Sequence, residues 1–244
     1  PETWSHRGPE SAGPVRYRIA RQPGCVETDN GDSPVGLVIE SIIMAGAVYS
    51  EDTLLWRDRH LQEPLSRSWN SPRYWLLPAS HLREGRVLWV RVAGVAAQTP
   101  GLGRVRLGSP EAMLTVMEQG HWRTRTLPFI NLVVSAVLGF LALFIWLAFR
   151  SQRVFGWYAV TAFCWVLFGV NTLATQAWPF SDTRMVAQAN TLAYLFFIAS
   201  FCVFSWRLLE LRCAVWREFP LLALVAGLAG VIAVSYTHLR AHET

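Results

Sequence analysis

The hydrophobic residues are concentrated in the second half of the chain, where four apolar segments follow one another. The first, residues 127–149, carries no charge, and its only polar side chains are Asn131 and Ser135. As a helix it would measure about 34 Å at about 1.5 Å per residue, enough to cross a hydrocarbon core of about 30 Å. The segments that repeat the pattern are residues 154–173, 188–206 and 221–234. We therefore predict a partial transmembrane region over residues 127–234, with the lipid bilayer as its partner.

The first half of the chain has short extended segments separated by turn residues. Residues 87–92 are the clearest, because they are β-branched and aromatic and follow the turn at residues 83–86. Further extended segments are expected at residues 15–19, 35–44, 45–49, 53–56, 73–77 and 105–107. Many short strands without a helical repeat predict a β-sandwich. The predicted fold class is a β-sandwich followed by a truncated α-helical transmembrane bundle.

The domain boundaries follow from changes in these patterns. Residues 1–34 are a poorly defined N-terminal segment of the external domain, and residues 35–108 are its core. Residues 109–126 are a connecting helix and link, because Ser109, Pro110 and Glu111 suit a helix start and Gly120 suits its end.

The two ends of the chain lead to two further predictions. Residues 235–244 resemble translated sequencing-adapter sequence, so we expect a non-native tail. No initiator Met or export signal is present at the start, so we expect the chain to be part of a longer protein.

Arginine counts in the short loops predict the orientation. Two arginines lie in residues 150–153 and three in residues 207–220, whereas residues 174–187 have one arginine near Asp182. Because cytoplasmic loops carry an excess of basic residues, the β-domain is expected outside the cytoplasm. Arg123 and Arg125, at the outer end of the first span, oppose this orientation for that span alone.

The composition excludes several classes of protein. All 22 basic residues are arginine, so the lysine of a phosphate-binding loop, of a pyridoxal enzyme or of a kinase fold is missing from this sequence. The net charge of +5 is scattered and then confined to helix ends, so nucleic-acid binding is not predicted. The four cysteines have no metal-ligand spacing, and we predict no metal and no cofactor.

The predicted spans offer little for catalysis or ion-coupled transport. The first three contain no charged residue, whereas a pump or carrier usually needs a buried acid or base. Their polar residues Asn131, Asn171, Gln188 and Asn190 are expected to form hydrogen bonds between helices, with a small pocket as the alternative. We predict no catalytic residue and no enzyme activity for this part of the protein.

An aromatic and polar cluster in the first half is the candidate ligand site. It comprises Trp56, Arg57, Arg59, Trp69, Asn70, Arg73, Tyr74 and Trp75. Stacking aromatic rings combined with arginine and asparagine donors would suit a sugar or a small carboxylate. In the alternative interpretation, these aromatic residues fill the core of the sandwich and the arginines are solvated.

Several stretches together resemble one receptor family. They are Ser66–Pro78, the Glu84-Gly85 turn before the strand LWVRV, the glycine-containing run at residues 101–108, and the LPFIN sequence at residue 127. Over residues 35–234 the chain resembles the bacterial seven-transmembrane receptors with diverse intracellular signalling modules, of the type with a jelly-roll sensor. It departs from them by ending after about three and a half spans, and by having residues 50–53 where an Asn-Gly hairpin turn is expected.

The resemblance implies a periplasmic, carbohydrate-binding-like jelly roll and a multi-pass region in the bacterial inner membrane. It also implies a cytoplasmic output module, usually a histidine kinase or a diguanylate cyclase, and a homodimeric full-length protein. The leading hypothesis is a receptor that binds a small extracytoplasmic ligand and relays to a histidine kinase. A cyclase output, a membrane enzyme or carrier, and an envelope anchor are the alternatives.

Overall fold

The computed structural model describes residues 14–19, 33–78, 87–94, 100–209, 220–221 and 223–232. The chain forms two compact units. One comprises Pro1–Leu127 together with Ala174–Thr183, and the other comprises Pro128–Leu173 together with Arg184–Thr244. The predicted turn at residues 83–86, the predicted tail at residues 235–244 and most of the loop 207–220 lie outside the described residues.

The first unit contains nine described strands. They are β1 (Val15–Ile19), β2 (Val35–Ile39), β3 (Ile42–Ile43), β4 (Ala45–Ser50), β5 (Thr53–Arg57), β6 (Arg73–Leu77), β7 (Leu88–Ala93), β8 (Gly101–Leu102) and β9 (Val105–Gly108). Their order is β1-β7-β4-β5 in a four-stranded sheet, β6-β2-β9 in a three-stranded sheet and β3-β8 in a two-stranded sheet. The described pairings are all antiparallel. The predicted β-sheet region is confirmed. Each predicted extended segment within the described residues contains a strand, although the one predicted at residues 35–44 is divided into β2 and β3.

The larger two sheets share a hydrophobic core. Side chains alternate between the two faces of a strand, so Val90 and Val92 of β7 point to one face while Trp89 and Arg91 point to the other. The buried cluster that contains Val90 and Val92 also contains Val48 of β4 and Ile39 of β2. A second cluster joins residues of both sheets in the same way. One face of each of these two sheets therefore forms the shared core.

The outer face of the three-stranded sheet is covered by helix α1 (Pro110–His121). The approach is close at Gly36 of β2, where an added Cβ would lie 2.8 Å from Cβ of Met113. Gly108 of β9 also faces the Met113 side chain. Small residues at these two positions let the helix backbone lie against the sheet.

Helix α1 continues without a break into the first apolar helix. A five-residue π-helix (Trp122–Thr126) joins it to α2 (Leu127–Ala148), which gives 39 continuous helical residues from Pro110 to Ala148. The prediction that Gly120 ends the first helix is wrong. An added Cβ on Gly120 would lie 3.1 Å from Pro72, so this glycine permits close packing on the segment before β6.

Three described helices are long and apolar enough to cross a membrane. They are Pro110–Ala148, which includes α2, together with α3 (Arg153–Leu173) and α4 (Thr183–Leu208). They agree with the first three predicted spans, although α4 begins five residues before the predicted residue 188. Ala223–Ile232, within the predicted fourth span, is a shorter apolar helix.

Polar residues link the helices of the second unit, as the sequence predicted. The indole N–H of Trp165 in α3 donates to Oδ1 of Asn131 in α2 over 3.1 Å. Asn171 of α3 donates to the carbonyl of Val186 over 3.0 Å, and Thr172 donates to Oδ1 of Asn190 over 3.4 Å. These bonds confirm the predicted role of three of the four polar residues.

Candidate ligand-binding site

A cavity of about 490 Å³ opens on the outer face of the four-stranded sheet. It is lined by Arg57, Asp58, Arg59, His60, Leu61, Gln62, Glu63 and Arg91. Seven of these residues come from one stretch, the segment that leaves β5, and Arg91 comes from β7. The segment is held on the sheet by Leu65, which is buried in a cluster with Met44, Ala45 and Ala93. The volume lies within the range usual for small-molecule sites.

Asp58 anchors one end of this segment. Its side chain is 8% exposed, and its Oδ2 accepts the backbone N–H of Gly46 over 2.8 Å. Its Oδ1 accepts the hydroxyl of Ser68 over 2.6 Å and Nη2 of Arg73 over 3.2 Å. The buried carboxylate is thus neutralised by a buried cation and satisfied by neutral donors, as a buried charge requires. Asp58 fixes the start of the segment to β4 and β6.

Arg73 is the cation that this arrangement buries. Its side chain is 10% exposed, and its guanidinium lies 4.2 Å from the ring centroid of Trp56. Burial lowers the pKa of Arg73, while the charge of Asp58 and the hydrogen bond to it act in the opposite direction. Arg73 therefore supports the site from inside the core, as part of a cation–π pair and an ion pair.

Three other arginines give the cavity its positive charge. Within the described part of the chain, Arg57, Arg59 and Arg91 form no ion pair. The Nε of Arg91 is buried and has no hydrogen-bond partner among the residues that the structure describes. Asp58 is already neutralised by Arg73, and the carboxylate of Glu63 is outnumbered by the three arginines, so the cavity lining keeps a net positive charge. Guanidinium groups suit carboxylate or phosphate oxygens because their N–H groups form a planar fork.

Glu63 connects the far end of the segment to Thr183, the first residue of α4. Its Oε2 accepts the backbone N–H of Thr183 over 3.1 Å and the Thr183 hydroxyl over 2.6 Å. The same hydroxyl oxygen accepts the backbone N–H of Leu65 over 2.9 Å. Thr183 is fully buried. A carboxylate at a helix N-terminus is favourable because it pairs with free N–H groups and with the positive end of the helix dipole.

Neighbouring residues of the segment 174–183 also belong to this arrangement. The backbone N–H of Arg67 donates to the carbonyl of Thr175 over 2.9 Å, and Ala177 is buried. The cavity-lining segment and the residues that precede α4 thus form one hydrogen-bonded assembly inside the first unit.

The structure divides the predicted ligand set. Arg57 and Arg59 line the cavity, whereas Trp56 and Trp75 pack on the hydrophobic core with their ring centroids 5.9 Å apart. For these two tryptophans the structure favours the alternative interpretation, in which they fill the core. Arg73 lies behind the cavity wall rather than in it.

The other three members lie elsewhere. Asn70 is fully buried, and its backbone carbonyl accepts the hydroxyl of Thr124 in the π-helix over 3.1 Å. Tyr74 points to the opposite face of β6, toward Gly36. Trp69 is partly exposed, at 38%, and does not line the cavity.

Sequence reasoning missed Asp58, Glu63, Arg91 and Thr183. Asp58 could have been noticed as an acid between two arginines directly after a strand. Arg91 could have been noticed as a charged residue between two valines in the strand β7. The link between Glu63 and Thr183 spans 120 positions, and no local pattern could have revealed it.

No protein family, no curated protein and no solved structure matches this chain. Among the described residues, no group of three or more His, Cys, Asp or Glu side chains is placed to hold a metal ion. The site must therefore be interpreted from its own geometry.

Proposed function

We propose that the chain is the sensor and partial membrane region of a bacterial signalling receptor. In this proposal the β-domain is a periplasmic sensor of the jelly-roll type, the apolar helices cross the inner membrane, and a small ligand binds in the cavity. The signal passes to a cytoplasmic histidine kinase module encoded beyond this sequence. The full-length receptor would act as a homodimer.

One observation carries the proposal. The segment that lines the cavity is bonded through Glu63 and Leu65 to Thr183, where α4 begins. A ligand that moves this segment would therefore act directly on the first residue of a membrane-length helix. Binding can bias a receptor only through different affinities for two states, and a shared contact of this kind is a physical means of producing that difference.

A second connection supports the same interpretation. The helix Pro110–Ala148 is continuous, so no loop separates α1 from α2. Its π-helical part is held by the Thr124 bond to Asn70 and by a bond of 3.0 Å from Nη1 of Arg125 to the hydroxyl of Ser71. A displacement of the segment before β6 would thus reach α2 through a helix rather than through a loop.

The proposed location can be tested with single cysteines introduced into a cysteine-free background. The exposed positions Gln176 and Ser151 lie in the two loops that flank α3. If the β-domain is periplasmic, a thiol reagent that cannot cross the inner membrane should label Gln176→Cys in intact cells. It should label Ser151→Cys only after that membrane has been permeabilised. The opposite pattern would overturn the periplasmic placement.

The proposed output can be tested by reading the coding DNA of the source organism past the codon for Val234. Three further hydrophobic spans followed by a histidine kinase module would support the full proposal. A diguanylate cyclase module would support a receptor with the alternative output. A stop codon soon after a completed fourth span would overturn the receptor interpretation and favour an envelope anchor.

A further inference from the structure

The outer face of the four-stranded sheet carries a row of arginines that extends beyond the cavity. The strand register places Arg16 of β1 opposite Arg91 of β7, Arg91 opposite Ala47 of β4, and Ala47 opposite Arg57 of β5. These four positions, which we call the arginine row, contain no acid. Neighbouring strands lie about 4.8 Å apart, so the row extends for about 14 Å across the sheet.

The arginine row is electrostatically unfavourable as it stands. Arg16 and Arg91 are directly opposite on adjacent strands, and like charges in that relation repel each other. Within the described residues, none of its three arginines has an acidic partner. An anionic ligand bound across the arginine row would relieve this repulsion.

The next row on the same face is aromatic. Trp89 of β7 is directly opposite Tyr49 of β4, and Arg18 of β1 is opposite Trp89 on its other side. Both aromatic side chains are half-buried rather than covered. Flat rings of this kind stack on the apolar faces of sugar rings while nearby polar groups bind the hydroxyls.

A second cavity, of about 340 Å³, lies over this aromatic row. Its lining consists of Arg16, Tyr49, Glu51, Asp52, Trp89 and Arg91. Arg91 therefore belongs to both cavities, so the two sites adjoin along the sheet. The acids Glu51 and Asp52 lie at the turn beyond the aromatic row, where they suit hydroxyl donors and disfavour a further anion.

We propose that this face binds an acidic polysaccharide, with its anionic groups on the arginine row and its sugar rings on Trp89 and Tyr49. The width of the arginine row and the shared Arg91 favour an oligomer over a single anion. The combination of an aromatic row with a cationic row favours a charged sugar over a neutral one. This inference rests on the proposed function, because it names the ligand class of the same sensor.

The test uses the purified chain in nanodiscs of zwitterionic lipid and measures binding by calorimetry. The probes are oligogalacturonate, the same oligomers with their carboxylates methyl-esterified, and monomeric galacturonate. Because hydrogen bonds to charged groups are strong and exposed charges are screened by salt, the acidic oligomer should bind roughly tenfold or more tightly than the ester. Its affinity should also fall as salt is added. A sulfated oligosaccharide tests whether sulfate replaces carboxylate.

The variants test whether binding depends on the arginine row or only on the overall positive charge of the chain. Arg91→Gln should weaken oligogalacturonate binding by roughly tenfold or more, and Trp89→Ala should weaken binding of acidic and esterified oligomers alike. Arg106→Gln is the matched control, because Arg106 lies on the three-stranded sheet and already pairs with Glu40. An unchanged circular dichroism spectrum establishes that each variant is folded.

Three results would overturn the proposal: equal affinity for acid and ester, equal effects of Arg91→Gln and Arg106→Gln, or no binding of any acidic oligomer. Equal affinity for monomer and oligomer would also overturn it in favour of a single-anion site. None of these outcomes affects the receptor proposal, which depends on the output encoded past Val234. A missing output module would in turn leave the polysaccharide binding intact.

Discussion

The ion pair of Asp58 and Arg73 allows a quantitative test of what fixes the candidate site. Replacing Asp58 with Asn keeps the size of the side chain but leaves the guanidinium of Arg73 buried without a counter-charge. The change also puts an amide group where Gly46 and Ser68 now donate. It removes the interaction that opposes desolvation, so the pKa of Arg73 should fall further below its ordinary value.

Burial decides how large the effect should be. Removing one partner of a buried ion pair typically costs about 3 to 5 kcal/mol, and the two side chains here are only 8% and 10% exposed. The Glu40–Arg106 pair is shorter, at 2.8 Å, but its side chains are 36% and 45% exposed. Exposed pairs contribute about 0 to 1 kcal/mol. Glu40→Gln is therefore the control, and we expect it to have little effect.

The assay is native-state hydrogen exchange on the chain in nanodiscs, followed by mass spectrometry. The amide of residue 58, which donates to the carbonyl of Gly46 over 2.8 Å, reports on opening between β4 and the segment after β5. We expect Asp58→Asn to lower the free energy of this opening by about 3 kcal/mol or more, up to the global stability of the unit. The double variant with Arg73→Met should be less affected than Asp58→Asn alone, because it leaves no unpaired charge.

Either of two results would refute this reasoning. A loss below about 1 kcal/mol for Asp58→Asn would mean that the pair behaves like an exposed one. A double variant that is at least as unstable as the single one would mean that the hydrogen bonds to Gly46 and Ser68, rather than the charge of Arg73, dominate the effect.

Three further predictions concern contacts within each of the two units. Thr183→Val should leave the Leu65 amide without its acceptor and raise its exchange rate roughly tenfold or more, whereas Thr183→Ser should not; equal rates would contradict the role of the hydroxyl. Gly36→Ala should destabilise the packing of α1 by about 1 to 3 kcal/mol, measured by thermal unfolding, and Met113→Ala should not restore the loss, because the nearest atom is Cβ of Met113, which alanine retains. Gly139→Leu should separate α2 from α3, because an added Cβ already approaches an α3 side chain to 2.9 Å; unchanged cysteine cross-linking between these helices would disprove it.

The apolar helices could be predicted because their signal is local. Each predicted span consists of consecutive apolar residues, and a helix satisfies its own backbone within that stretch. The boundary at α4 was placed too late because Thr183 begins that helix with a partner, Glu63, that lies far away in the sequence. The end predicted at Gly120 failed because glycine has a second use, close packing, that composition does not distinguish from helix termination.

The strands were predictable in position but their faces were not. Alternation in β7 showed two sets of side chains, but only the packing of Val90 and Val92 with Ile39 of β2 shows which set faces the other sheet. The same limit applied to the candidate site, where only residues that are close in sequence could be grouped in advance. Arg57 and Arg59 were found from local composition, while Arg91 joins them only through the sheet.

The charge of the proposed ligand and the position of Glu63 together suggest the direction of the signal. Glu63 lines the cavity that would receive an anion, and its carboxylate also holds Thr183. At an assumed separation of about 6 Å, two like charges repel by about 0.7 to 3 kcal/mol at effective dielectric constants between 80 and 20. A bound anion would thus weaken the hold of Glu63 on the start of α4, and it would bind more tightly when that hold is broken. Because about 1.4 kcal/mol corresponds to a tenfold change in an equilibrium, this repulsion alone would shift the two states by roughly 3-fold to 100-fold. If the protein is the receptor that we propose, the state with Glu63 bonded to Thr183 is therefore the ligand-free one.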